Sequence, residues 1–136
     1  MTNSDNLGIV DRFDTLITTA DMDELEQLCT PDMRNHALAT HRARGLAGTR
    51  EFLTRSAMQF GDTGWSERQV IADGEFVVHH GKRGGNWQGG SLFGFDLRPG
   101  RYNREVVFLY RLQNGRITDR WAVRDDLTML RQLGAL

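Results

Sequence analysis

The 136-residue sequence lacks several features that mark whole classes of protein. Cys29 is the only cysteine, so no disulfide can form within the chain and the fold does not depend on an oxidising compartment. The longest uninterrupted apolar stretch, residues 106–110, is far too short to span a bilayer. Residues 1–5 lack the basic and apolar regions of a secretory signal. We therefore expect a cytosolic protein with no membrane partner.

Charge and motif content exclude further classes. The chain carries 17 basic and 18 acidic side chains and a net charge of −1. It therefore lacks the excess positive charge that is typical of proteins that bind nucleic acid. It contains no Walker pattern and no Gly-x-Ser-x-Gly elbow, and the glycines between positions 81 and 90 lack the spacing of a dinucleotide loop. His, Cys, Asp and Glu never recur at zinc-site spacing, so we predict no metal. The composition, with 39% hydrophobic and 26% charged residues, is typical of a single globular domain over residues 1–136.

The first half of the chain has the apolar spacing of helices. Ser4 or Asp5 is placed to cap the first of them, and the second should stop just before Pro31. The predicted elements are a helix that includes residues 9–17, a short helix before Pro31, a short strand around residues 33–38, and a helix over residues 49–60.

Near residue 65 the apolar period changes from that of a helix to that of a strand. The dipeptides Asp73-Gly74 and Asn114-Gly115 are typical of type I′ hairpin turns, and the glycines after Gly81 indicate bulges, bends or close backbone approach. Asp126 and Gly134 are placed to cap a short C-terminal helix. The four hairpin strands are expected at residues 65–73, 75–83, 101–112 and 116–125. Helices followed by hairpins predict an α+β fold, a strongly bent antiparallel sheet packed on about three N-terminal helices, with a concave face suited to a small ligand.

The last strand carries the residues with the most chemical potential. Strict alternation places Ile117, Asp119, Trp121, Val123 and Asp125 on one face, and because this set is the more apolar one we expect it to face the core. A carboxylate that faces a pocket loses hydration, so its pKa rises and it can exchange protons near neutral pH. Two alternatives stay open: Asp125 and Asp126 act only as helix caps, and Asp119 lies at the pocket rim.

Residues 119–127, Asp-Arg-Trp-Ala-Val-Arg-Asp-Asp-Leu, and residues 129–134, Met-Leu-Arg-Gln-Leu-Gly, resemble the closing signature of SnoaL-like polyketide cyclases. Residues 92–95, Leu-Phe-Gly-Phe, ahead of Pro99-Gly100-Arg101, are similar to the phenylalanine-glycine loop and Thr-Gly-Arg turn of that family. The resemblance covers most of the chain from Phe76 onward. In the helical third, Asn35-His36 stands where the family has a short polar strand.

The resemblance implies an NTF2-like cone, usually a homodimer, that works without metal or organic cofactor and uses an aspartate as general acid or base. That aspartate maps to Asp125. The chain departs from the family at two points, with Arg120 in place of a histidine and Trp87 in place of the histidine of a Gly-Thr-His run.

His36 lies close to where the pocket of such a cone opens, and its ordinary pKa suits partnership with an aspartate; a solvated or core histidine is the alternative. Aromatic residues should line part of the pocket and otherwise fill the core. The candidate catalytic residues are Asp125, His36 and Asp119, and the candidate ligand contacts are Trp121, Trp87, Asn35, Phe93 and Tyr110.

Three functions remain open on the sequence. The first is a cofactor-free cyclase or isomerase for a polyketide-type or other polycyclic apolar molecule, with Asp125 moving a proton next to a carbonyl and Asn35 or His36 stabilising the enolate. Cofactor-free hydroxylation and epoxide opening are close variants of it. The second is a small-molecule binding protein of the same fold, and the third is an assembly module that uses its outer sheet face.

Overall fold

The computed structural model describes residues 2–19, 21–38 and 44–136, with only the backbone at Ile17. The elements in chain order are α1 (Asn3–Thr19), a 3-10 turn (Met22–Glu24), α2 (Leu25–Leu28), β1 (Cys29–Asn35), α3 (Leu46–Gln59), β2 (Gly64–Asp73), β3 (Phe76–Trp87), β4 (Gly90–Leu92), β5 (Phe95–Leu97), β6 (Gly100–Gln113), β7 (Arg116–Arg124) and α4 (Asp126–Gln132). No helix within these ranges is long and apolar enough to cross a membrane.

Five strands form one curled sheet in the order β1-β7-β6-β3-β2. The pairs β2–β3, β3–β6 and β6–β7 are antiparallel, whereas the edge strand β1 pairs with β7 in parallel. Pro31 fits into β1 because an edge strand has one side free of ladder hydrogen bonds. Strands β4 and β5 form a separate small hairpin. The predicted α+β fold, with a bent sheet, N-terminal helices and a short C-terminal helix, is confirmed.

Alternation along β6 divides the sheet into an inner and an outer face. Its even-numbered residues from Tyr102 to Leu112 are buried, and they face the helices. The main core cluster joins the inner face to α1 through Val10, Phe13 and Leu16, and to α3 through Leu53. A second cluster packs α4 against Trp87, Leu97 and Tyr102 at the other end of the sheet.

Two glycines allow the strands to approach closely where the sheet bends. A Cβ atom on Gly81 would lie 2.0 Å from the carbonyl oxygen of Glu67, and one on Gly84 would lie 2.1 Å from that of Tyr102. The register of β2 also shifts between Trp65 and Glu67, which indicates a bulge. The close approach predicted from the glycines is confirmed.

The two hairpin turns differ in type. Asn114 and Gly115 both have positive φ, 50° and 76°, as a type I′ turn requires. In the other hairpin Asp73 pairs with Phe76, so the loop residues are Gly74 and Glu75 rather than the predicted Asp73-Gly74. Only Gly74 has positive φ there, which is the pattern of a type II′ turn.

The caps of two helices also differ from the sequence-based expectation. Helix α1 starts two or three residues earlier, because Thr2 and Asp5 exchange side-chain to backbone hydrogen bonds of 3.0 Å in a capping-box arrangement. Helix α4 is capped by Asp125, not Asp126, since Oδ1 of Asp125 accepts a hydrogen bond from the backbone nitrogen of Thr128 at 3.1 Å. Asp126 is instead the first residue of the helix and forms an ion pair with Arg104.

Candidate functional site

A cavity of about 600 Å³ lies between the inner face of the sheet, helix α3 and the β4–β5 hairpin. Much of its wall is apolar or aromatic. The described residues that line it are Ala37, Leu38, Phe52, Arg55, Ser56, Gln59, Phe60, Thr63, Arg83, Ser91, Leu92, Phe93, Gly94, Tyr102, Arg104, Val106, Phe108, Arg120 and Arg124. This volume is within the range of small-molecule sites.

The charged groups on this wall all have the same sign. Five of the described lining residues are arginines, and none is Asp, Glu or His. Arg83 is paired with Asp14 at 3.0 Å, both side chains being 8% exposed, and Arg104 is paired with Asp126. Arg55 lies 3.9 Å from Glu51, one turn earlier on α3.

Arg120 is buried without an acidic partner. The residue is 1% exposed, and its Nε donates a hydrogen bond to the hydroxyl of Tyr110 at 3.3 Å. Its Nη1 and Nη2 have no hydrogen-bond partner within the described part of the chain. The guanidinium carbon lies 4.5 Å from the ring centroid of Phe108 and 5.6 Å from those of Phe13 and Tyr110. These aromatic faces stabilise the cation through cation–π contacts but leave its outer nitrogens available.

Arg124 lies beside Arg120 on the same inner face. Its guanidinium carbon is 5.7 Å from the same Phe108 ring. Burial, followed by the positive charges of Arg120 and Arg104, lowers the pKa of Arg124 to about 9. The group therefore still carries its proton at neutral pH. Two adjacent cations without carboxylate partners make this end of the cavity strongly attractive to negative charge.

A bulge in β7 explains why the arginines face inward. Leu112 pairs with Ile117, yet the preceding Arg111 pairs with Asp119, so Thr118 is an extra residue against β6. A single extra residue reverses the alternation beyond it. Ile117 therefore faces the core, but from there on Arg120, Ala122 and Arg124 face inward.

The predicted inner face of β7 is therefore wrong beyond the bulge. Val123, which alternation from Ile117 places in the core, is 71% exposed. The only sequence signal for the inward arginines was the pair Arg120 and Arg124 on either side of a small residue, Ala122, which leaves room for the Phe108 ring of the register partner.

Asp125 does not take the position expected for a pocket carboxylate. The residue is exposed at the end of β7, and its two oxygens accept hydrogen bonds from the backbone nitrogen and the hydroxyl of Thr128. These hydrogen bonds hold the pKa of Asp125 below its ordinary value, so the expected rise is wrong in direction. Without burial there is no desolvation to raise the pKa.

His36 and Asp119 do meet, but on the outer side of β7. Nε2 of His36 lies 3.0 Å from Oδ1 of Asp119, and the imidazole stacks on Trp121 with ring centroids 4.8 Å apart. Burial acts to raise the pKa of Asp119, but hydrogen bonds from His36 and Thr118 outweigh it and lower that pKa. None of the three is among the described residues that line the cavity, so the expectation that Trp121 lines the pocket is wrong.

The other four sequence candidates are placed as follows. Phe93 lines the cavity from the tip of the β4–β5 hairpin, with a positive φ of 54°. Tyr110 is fully buried beside Arg120, and Trp87 packs edge-on against Phe60 in the second core cluster. Asn35 is also fully buried, where its amide donates to Thr49 and its carbonyl oxygen accepts from the backbone of Ala37. Of these four, only Phe93 is among the described lining residues.

Comparison with known proteins agrees with this architecture. The chain resembles TsrD from Streptomyces laurentii with a TM-score of 0.84 and 20% identity, over 100% of this chain and 99% of that one. It resembles a SnoaL-like polyketide cyclase from Agrobacterium tumefaciens with a TM-score of 0.78 and 17% identity, over 95% and 98% of the two chains. An NTF2-like protein from Burkholderia xenovorans gives a TM-score of 0.73 at 19% identity, over 98% and 99%.

These structural likenesses, at such low identity, establish the fold. No curated protein sequence matches the chain significantly. The sequence model of the SnoaL-like polyketide cyclases matches residues 8–133, nearly the whole chain. The chain therefore belongs to the SnoaL-like polyketide cyclase family.

Proposed function

We propose that this protein is a cofactor-independent enzyme that takes a small, largely apolar carbonyl compound into its cavity and cyclises or isomerises it through an enolate. The observation that carries the proposal is the charge of the wall. Apolar and aromatic surface surrounds the cavity, and among the described lining residues the charged groups without an ion pair are the cations Arg120 and Arg124. Such a site suits a substrate on which negative charge develops during the reaction.

The chemistry follows from this charge distribution. A C–H bond next to a carbonyl group breaks, its electron pair moves to the carbonyl oxygen, and the resulting enolate lies beside the guanidinium groups. The enolate carbon then attacks a second carbonyl of the same molecule, or is protonated again at another position. A C–H next to one carbonyl that a second carbonyl or an aromatic ring also activates is acidic enough for water or a basic atom of the substrate to take the proton. Polyketide-type molecules with alternating carbonyls meet this requirement.

In the proposed reaction the arginines stabilise the enolate, rather than Asn35 or His36. Asn35 is fully buried and its side chain is used in holding the β1–α3 connection, whereas His36 lies with Asp119 on the outer side of β7. A guanidinium stabilises an oxyanion more strongly than a neutral amide because it carries full positive charge.

Hydrogen exchange of a simple ketone tests the enzymatic proposal without knowledge of the natural substrate. We expect the wild-type protein in D₂O to accelerate deuterium incorporation at the benzylic carbon of 2-tetralone, a two-ring ketone that the cavity can hold, as followed by NMR. Acceleration that saturates with 2-tetralone concentration supports turnover in the cavity. Exchange at the rate of a protein-free solution contradicts it.

A binding protein without turnover is the second candidate, and one observation favours it. No described residue on the cavity wall is Asp, Glu or His, and burial raises the pKa of Tyr102, the tyrosine on that wall, so the described lining has no side chain that accepts a proton readily at neutral pH. The same ketone separates the two functions. Saturable binding of 2-tetralone, seen by calorimetry, together with unaccelerated exchange indicates a binding protein.

We further propose that the protein forms a homodimer through the outer face of the sheet. One row of apolar residues crosses four strands there, because Ile71 pairs with Val78, Val78 with Leu109, and Leu109 with Trp121. Val123 adds a strongly exposed apolar side chain beside this row. A continuous apolar sheet face of this kind is typical of an interface with another protein surface.

A further inference from the structure

The two unpaired guanidinium groups differ from the other arginines of the cavity. Arg83 and Arg104 each have a close carboxylate, from Asp14 and Asp126. Arg120 and Arg124 have no ion pair within the described ranges, although both contact the Phe108 ring. All 18 acidic residues of the sequence lie within the described ranges. None of these carboxylates lies at ion-pair distance from Arg120 or Arg124, and Asp126, the acidic residue that acts on Arg124 from farther away, is itself paired with Arg104.

Before the reaction begins no enolate is present, so a neutral substrate brings no negative charge to balance these two cations. A neutral ketone bound beside Arg120 and Arg124 leaves two buried positive charges near the same Phe108 ring without a counter-charge, which is unfavourable. A ligand with a permanent negative charge removes this repulsion as soon as it binds. Nη1 and Nη2 of Arg120, buried and without a partner, are available as donors to such a group.

We propose that Arg120 and Arg124 form an anion subsite and that the natural ligand is a ring compound bearing a carboxylate. The guanidinium group is planar and presents parallel N–H donors, which match the two oxygens of a carboxylate. The apolar wall formed by Phe52, Phe60 and Val106 leaves the rest of the 600 Å³ cavity for the rings. This inference rests on the proposed function for its choice of cavity, and it names the class of substrate.

A matched pair of probes tests the subsite. Calorimetric titration with 2-naphthoate and with 2-naphthamide compares an acid with a neutral molecule of the same shape. We expect the wild-type protein to bind 2-naphthoate about 10- to 100-fold more tightly, the range for hydrogen bonds to a charged group. Equal affinity for the two probes, or binding of neither, overturns the subsite.

Arginine variants show which residues cause the preference for 2-naphthoate over 2-naphthamide. Arg124→Gln should reduce the ratio of the two affinities about tenfold or more and leave 2-naphthamide binding unchanged. Arg116→Gln removes an exposed arginine from the same strand and should keep the wild-type ratio. An unchanged ratio in Arg124→Gln and in Arg120→Met overturns the assignment to these residues. If Arg120→Met does not fold, as a thermal melt will show, the Arg124→Gln ratio alone decides.

Three further outcomes are informative: the first tests the ligand class, and the other two separate the inference from the proposed function. Tighter binding of 2-naphthyl phosphate than of 2-naphthoate would replace the carboxylate with a phosphate and overturn the ligand class. Accelerated 2-tetralone exchange together with equal affinity for acid and amide would retain the enzyme and remove the anion subsite. Acid-selective binding without accelerated 2-tetralone exchange would retain the anion subsite and remove the proposed enzymatic function.

Discussion

At the scale of single residues, the chemistry of the cavity depends on which side of β7 each side chain occupies. Arg120 and Arg124 face inward without acidic partners, whereas Asp125, the residue to which the family resemblance assigns acid–base chemistry, is an exposed helix cap. The sequence predicted that Asp125 is either a pocket carboxylate or a cap, and the structure places it as a cap. The arginines could not be found from composition, because a buried unpaired cation is the opposite of what strand patterning predicts.

Substitution of Asp125 separates capping from catalysis. Asp125→Asn should leave both the melting temperature and the rate of 2-tetralone exchange near wild-type values, because asparagine caps helices about as well as aspartate. Asp125→Ala should lower the melting temperature, since Thr128 then loses its acceptor. Loss of exchange in a stable Asp125→Asn protein would restore the catalytic role of this carboxylate.

His79 should make stability depend on pH. Burial lowers the pKa of His79 from 6.5, and Nδ1 of this ring has no hydrogen-bond partner among the described residues. Below pH 6.5 the unfolded chain binds a proton that the folded protein resists, so stability is full above that pH and falls as the pH drops toward the lower folded pKa.

Thermal melts between pH 7.5 and 5.5 measure this effect. The melting temperature of the wild type should fall across the interval, and His79→Phe should flatten the fall. His80→Gln changes the neighbouring histidine, which pairs with Glu105 on the outer face. This variant should show the same fall in melting temperature as the wild type. An identical pH dependence in His79→Phe and the wild type would rule out His79 as the source.

At the scale of elements, the sequence predicted the helices and strands that depend on a local apolar pattern, and it missed the bulge in β7, which depends on a single extra residue. Helix α1 and the strands β2, β3, β6 and β7 follow from apolar period and from Asx-Gly turns. Their observed bounds lie close to the predicted ones, except that β3 continues four residues beyond the predicted end, to Trp87. The bulge at Thr118 has no composition signal, since it is set by pairing with β6. Its consequence is large, because it determines which side chains of β7 form the cavity wall.

Two register partners provide a test of the close strand approach. Gly64 and Gly84 lie opposite one another on β2 and β3. A Cβ atom at position 84 would meet the Tyr102 carbonyl oxygen of β6, whereas one at position 64 would meet no heavy atom within 4 Å. Gly84→Ala should therefore cost about 1–3 kcal/mol in the free energy of unfolding, as overpacked sites do. Gly64→Ala should be neutral or slightly stabilising in the same urea titration. Equal effects of the two substitutions would contradict the packing described here.

At the scale of the whole molecule, the inverted face of β7 affects the outer surface as much as the cavity. Strict alternation from Ile117 would point Thr118, Arg120 and Arg124 outward and make that face polar. Trp121 and Val123 take that side instead and extend an apolar row that begins on β2. The outer face is therefore better suited to a partner copy than the sequence indicated.

Light scattering tests the dimer. The wild type should have the mass of a dimer at micromolar concentration, and Leu109→Lys, at the centre of the apolar row, should raise the dimer Kd about tenfold or more by placing a charge in the interface. Val70→Lys adds the same charge on the inner side of β2, opposite His79, and should leave the mass unchanged. A monomeric wild type would remove this proposal.

The central claim is that the cationic wall of the cavity stabilises an enolate, and one ratio tests it most directly. The rate of 2-tetralone deuterium exchange with Arg124→Gln is divided by the rate with Arg116→Gln, both at saturating ketone. Removal of a single oxyanion-stabilising donor lowers turnover about 10²- to 10³-fold in enzymes, so the account predicts a ratio on the order of 10⁻² or lower. A ratio near one, with wild-type exchange clearly accelerated, would contradict it.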